Sequence, residues 1–114
     1  MNKLTKEINN LLQTFRKLRD PLQGCPWDKE QDFKSIASCS IEEAYEVADA
    51  IEREDFNDLK EELGDLFFQI IFHSGMAEEK KLFNFEEVVK ELNDKLIRRH
   101  PHVFDKKQDM SASE

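Results

Sequence analysis

Residues 66–72 read LFFQIIF, apolar almost all round and interrupted by a single glutamine. The run lies inside a helical pattern that extends to about Lys80, so it predicts a helix that neighbouring elements must surround. Asp55 and Asn57 are both suited to cap its start. The rest of the sequence offers partners at the same period. Leu4, Ile8, Leu11, Leu12, Phe15 and Leu18 fall on one stripe of a helix over residues 4–19, which Pro21 ends. A short helix is expected over about residues 32–38. Ser40 with Glu43 three residues on reads as a capping box opening a helix to about Arg53. Asn84 with Glu87 opens the last helix, which must stop before Pro101. The segment PLQGCPWDKEQD, with two prolines and a glycine, reads as one long loop. Nowhere do residues alternate as in a strand. The expected fold is all-α, a bundle of four main helices with short connections.

Length and charge narrow the function. A chain of 114 residues has room for one domain; it is assigned to residues 1–104, with a polar tail over 105–114 expected to be disordered. Nine phenylalanines are a heavy apolar load for this size, and part of the core is expected to lie between subunits. Acidic residues number 25 against 17 basic ones, a net charge of -8. That balance argues against nucleic acid as a partner, since such a protein needs a basic face. An anionic substrate would instead have to be drawn by a bound cation. The N-terminus lacks the apolar core of a signal peptide, and no apolar run is long enough to span a bilayer. Cys25 and Cys39 lack C-x-x-C spacing, and reduced thiols in the cytoplasm are the expectation.

Carboxylates crowd the apolar faces. At about 100° per residue, Asp58, Glu62, Asp65, Gln69 and His73 share a narrow stripe of the long helix. On the preceding helix Glu43 and Glu46 are one turn apart. A short connection makes the two helices antiparallel, so E-x-x-E can face E-x-x-D. Four converging carboxylates form a hard-oxygen cage suited to Mg²⁺ or Mn²⁺ rather than Zn²⁺. Two such ions about 3.5–4 Å apart would suit phosphoryl transfer. The plainer reading makes Glu43 only the capping partner of Ser40. Asp58, near the helix start, suits a cap or dipole role, and His73 reads as a hydrogen-bonded structural histidine. Gly64 falls away from Glu62, where close helix packing explains it.

The last helix gives a second signal. Lys95 and Arg99 border its apolar stripe one turn apart, and Arg98 points more outward. They read either as a phosphate clamp or as basic residues complementing the helix dipole. Trp27 either covers the core or offers a flat surface to a nucleobase.

Four ordered blocks, GCPWDKEQ, EEAYEVADAI, EELGDLFFQIIFHSGMA and KLIRRHPHVF, closely resemble the MazG nucleotide pyrophosphohydrolases over about residues 8–104. The family pattern E-E-x-x-E, spacer, E-x-x-D reads here as Glu42, Glu43 and Glu46, fifteen intervening residues, then Glu62 and Asp65. The resemblance implies an all-α nucleoside triphosphate pyrophosphatase fold with its core shared across a homodimer, or a dimer of dimers. It further implies Mg²⁺-dependent cleavage between the α and β phosphates, releasing a monophosphate and pyrophosphate, as in housecleaning of the nucleotide pool. Glu43, Glu46, Glu62 and Asp65 would be the metal ligands. Lys95 and Arg99, with Arg98, would meet the phosphates. Beyond the resemblance, a neighbouring carboxylate, Glu42 or Glu61, is the expected acceptor for the proton of the attacking water. Many family members carry two such domains, whereas this sequence matches a single copy. The rival expectation is a non-catalytic helical module that binds nucleotide or a partner protein. No G-x-x-x-x-G-K-[ST] loop is present, which disfavours an ordinary ATPase or kinase.

Overall fold

The computed structural model describes residues 2–105. Six helices follow one another: α1 (Lys3–Leu18), α2 (Pro26–Lys29), α3 (Phe33–Glu52), α4 (Phe56–Glu79), α5 (Phe85–Arg99) and α6 (Pro101–Phe104). No strand occurs among the described residues. The four long helices are the expected ones, and the fold is all-α. The expected tail, from residue 106 on, lies outside the described residues.

Two boundaries differ from expectation. The short helix and the helix expected to begin at Ser40 are one continuous element, α3. Its start is fixed upstream by a capping box between Asp32 and Ser35, whose side chains each bond the other's backbone N–H at 2.9 Å. Ser40 lies mid-helix, where its hydroxyl donates back to the Ile36 carbonyl at 2.9 Å, the alternative that serine takes inside a helix. Glu43 is therefore not a capping partner. Asp55 rather than Asn57 caps α4, accepting from the Asp58 N–H at 3.0 Å. The proline-rich loop, in turn, contains the single turn α2, with Pro26 at its N-terminus.

The α3–α4 connection is built locally. Glu54 takes a left-handed conformation with φ 55°, and the Asp55 N–H closes on the Ala50 carbonyl at 3.1 Å. This is a Schellman ending without the usual glycine. Arg53 then grips three carboxylates across the turn: Asp49 at 2.9 Å, Asp55 at 3.4 Å, and Asp58. Each exposed pair contributes little alone, but together they join the end of α3 to the start of α4. The two helices therefore run antiparallel in close contact.

The core sits toward the other end of this pair. Phe15 of α1, Ile36 of α3, and Ile71, Phe72 and Met76 of α4 are buried together. Phe15 meets Phe72 edge-on at 5.1 Å. That approach requires Gly75, where an added Cβ would stand 2.0 Å from the Phe15 ring. Gly64, by contrast, has nothing within 4 Å of the same position, so close packing within the chain does not explain it. Arg19 holds the proline-rich segment in place. It donates to the carbonyls of Asp28 at 2.9 Å and Gln31 at 3.0 Å, pairs with Glu79 of α4, and lies 5.5 Å over the Phe72 ring.

The last helix is attached more loosely. Phe85 packs edge-on against Phe67 at 5.9 Å, yet no residue of α5 is fully buried. The Cα radius of gyration is 17.4 Å, against roughly 13 Å for a compact domain of this length. The helices do not close into a compact bundle within one chain. None is long and apolar enough to cross a membrane.

Candidate metal centre

The antiparallel turn brings α3 and α4 acids to one level. Glu43, Glu62 and Asp65 each offer a carboxylate oxygen within 4.8 Å of the others. Glu43 and Glu62 are half-buried and Asp65 is exposed, so the group opens to solvent on one side. Glu62 and Asp65 are three residues apart and lie on one face of α4. Glu43 crosses from α3 to meet them.

Electrostatics marks this arrangement as unbalanced. Burial pushes the Glu62 carboxyl up to about 7, and the charges of Glu43, Asp58 and Glu46 push in the same direction. Burial also raises Glu43, followed by the charge of Asp65, although sharing a proton with Glu62 opposes the rise. None of the leading influences on either group is a cation. Oε2 of Glu43 is sealed from solvent and has no hydrogen-bond partner. A partly desolvated set of like charges is costly unless a counter-charge joins it. Opposite oxygens on a Mg²⁺ ion are about 4.2 Å apart, twice its bond length. Adjacent oxygens are about 3.0 Å apart, so three ligands now within 4.8 Å of one another would draw together around an ion. Donor type, spacing and the orphaned oxygen all fit a hard divalent cation.

The other expected site residues fall in three places. Glu46 lies outside the close group and is exposed, but its charge reaches both Glu43 and Glu62. Glu42, also exposed, acts on Glu43 through its charge, and Glu61 is exposed on α4. The α5 cations are not gathered with the acids. Lys95 borders a shallow groove with Phe83, Glu87, Val88 and Leu92, while Arg98 lines a neighbouring groove with Lys90 and Asp94. Arg99, in the last turn of α5, is exposed. Trp27 is 54% exposed and meets Phe72 edge-on at 6.5 Å, so it covers the core with one edge and leaves the rest of the indole open.

His73 is structural, as expected. It stacks on Phe33 at 6.0 Å, and its Nε2 lies 3.4 Å from the Ser40 hydroxyl. Burial lowers its pKa, which favours the neutral ring. Arg53 went unrecognised as the residue that sets the turn beneath the acids. Its surroundings were visible in sequence, with Asp49, Asp55 and Asp58 all within five positions.

A family model, the MazG nucleotide pyrophosphohydrolase domain, matches residues 31–104, a span that contains α3, α4 and every acid of the cluster. The chain belongs to this family. Among MazG relatives, the nucleoside triphosphate pyrophosphohydrolase of Escherichia coli K12 is 56% identical over 98 residues, covering 86% of this chain and 37% of the relative. The nucleoside triphosphate pyrophosphohydrolase/pyrophosphatase MazG of Thermotoga maritima is 47% identical over 97 residues, covering 85% and 38%. The chain thus spans less than two fifths of the length of these curated relatives. A crystal structure of a mazG-related protein from Thermotoga maritima superposes with a TM-score of 0.73 at 25% identity, covering 92% of this chain and 89% of the other. The chain therefore shares the overall fold of that mazG-related protein.

Proposed function

We propose that this chain hydrolyses nucleoside or deoxynucleoside triphosphates between the α and β phosphates, yielding a monophosphate and pyrophosphate. The observation that carries the reading is the meeting of Glu43, Glu62 and Asp65 within 4.8 Å, inside a domain whose relatives bear this activity in their names. Glu43, Glu62 and Asp65, joined by Glu46, would hold Mg²⁺, with Mn²⁺ as a substitute. When bound, the metal supplies charge neutralisation for the phosphates and lowers the pKa of a coordinated water. The chain's own residues do the rest. The α3 and α4 carboxylates fix where the phosphates dock, and Glu42 or Glu61 accepts the proton of the attacking water. Lys95 and Arg99, with Arg98 beside them, offset charge on the departing pyrophosphate. Trp27 offers its open indole face to the base.

In one chain the α5 cations stand apart from the acids, and this favours a homodimer. Exposed apolar residues support the same reading: Ile41 and Tyr45 on α3, Leu63 on α4, and Val89, Leu92 and Leu96 on α5. Monomeric proteins seldom leave so much apolar surface uncovered. A second copy would cover these faces and bring one chain's cations toward the other chain's acids. The cytoplasm, where nucleotides are made, is the fitting compartment.

The test is product identity. Protein incubated with Mg²⁺ and a panel of ribo- and deoxynucleoside triphosphates should release monophosphate and pyrophosphate. Diphosphate with inorganic phosphate would refute the chemistry.

A further inference from the structure

Gln69 is the single polar residue in the apolar run 66–72, and its carboxamide oxygen is sealed from solvent with no hydrogen-bond partner. Only one other side-chain atom among the described residues shares that condition, Oε2 of Glu43 in the carboxylate group. Both are acceptors. Native proteins rarely leave buried acceptors unpaired, because the lost hydration is not recovered.

The two atoms belong to the same seam. Glu43 meets Glu62 and Asp65 across the α3–α4 contact, and Ser40 meets His73 farther along it. Gln69 is four residues after Asp65 and four before His73, so it occupies the same face of α4 between those two levels. The Ser40 hydroxyl is committed to the Ile36 carbonyl, which leaves its lone pairs for His73 Nε2. Carboxylates at the other side, once ionised around a cation, can only accept. Water on a divalent cation is a donor that both orphaned acceptors can use, and Mg²⁺ characteristically keeps several of its waters.

We propose that Gln69 is a positioning residue for the metal centre, its carboxamide oxygen accepting a hydrogen bond from a water of the ion held by Glu43, Glu62 and Asp65. The inference rests on the reading of that group as a metal site. It assigns Gln69 to the ion's surroundings rather than to core filling. Partners that orient a metal's ligands or waters commonly matter 10- to 100-fold, by order of magnitude, in affinity.

Mn²⁺ titration by calorimetry, with melting temperatures recorded with and without Mn²⁺, tests this on the intact chain. Gln69→Leu should bind Mn²⁺ about tenfold more weakly. Its metal-free form should melt no lower than the parent, since an unpaired buried acceptor has been removed. Gln69→Glu keeps an acceptor oxygen and adds negative charge beside the ion, so it should escape that tenfold loss. Unchanged Mn²⁺ affinity in Gln69→Leu would overturn the proposal and leave Gln69 as filler. Equal losses in both variants would overturn it too, pointing to the amide nitrogen as the working group. If the unaltered chain takes up no Mn²⁺, the metal reading itself fails and this inference falls with it.

Discussion

The α3–α4 pair and α5 are built on different principles. The pair is self-sufficient: a capping box starts it, a left-handed turn reverses it, Arg53 clamps the turn, and Ile36, Ile71 and Phe72 fill its contact. Helix α5 has its own capping box at Asn84 and Glu87, but it buries nothing completely and keeps Val89, Leu92 and Leu96 open. The difference separates two tasks. On the proposed reading, carboxylates that share an ion are positioned by contacts within one hairpin. The cations proposed to meet a substrate's phosphates sit on an element whose position a second copy would complete.

The largest effect that can break this contrast falls on the pair. Glu62→Gln removes one charge from the acidic group while preserving shape, so turnover should drop by more than about 100-fold, beyond the loss of an outer partner. Helicity by circular dichroism should be unchanged. Next comes Leu92→Asp on α5, which should convert a dimer to monomer in sedimentation velocity and abolish most turnover while Mn²⁺ binding persists. If Leu92→Asp also abolished Mn²⁺ binding, the acids would depend on the partner and the contrast would be lost.

Stability changes should follow the same division, at smaller scale. Gly75→Ala drives a Cβ into the Phe15 ring and should cost about 1–3 kcal/mol by overpacking, read as a lowered melting temperature. Gly64→Ala meets open space within the chain and should gain up to about 1 kcal/mol from helix propensity. A loss of dimer in place of that gain would put Gly64 in the interface. The smallest effect concerns pH. Glu62 is raised to about 7 from an ordinary 4.5, so the folded metal-free state holds a proton that the unfolded chain releases. Its contribution is full below pH 4.5 and lost as pH rises through 7. The metal-free melting temperature should therefore fall over that window, less so in Glu62→Gln, and added Mg²⁺ should offset the fall.

Much of this was legible from residue pattern. Helical period placed the 66–72 run against the core, where Ile71 and Phe72 are buried but Ile70 is 43% exposed. It also placed Glu43 opposite Glu62 and Asp65, whereas Glu46 stands outside the expected group of four. The start of α3 was misread because Ser40 and Glu43 carry the spacing of a capping box; Ile36 in the core keeps the helix continuous through them, and a serine hydroxyl has a second option inside a helix. Gly64 suggested close packing that the chain does not contain. The placement of Lys95 and Arg99 relative to the acids was beyond periodicity, since it depends on how α5 crosses the pair and on what covers its apolar stripe.

Anomalous scattering from crystals soaked in Mn²⁺ would locate the ion itself. A peak is expected bonded to oxygens of Glu43, Glu62 and Asp65, and none there in Glu62→Gln. A fully soaked crystal whose manganese lies elsewhere, with these three side chains turned apart, would contradict the account.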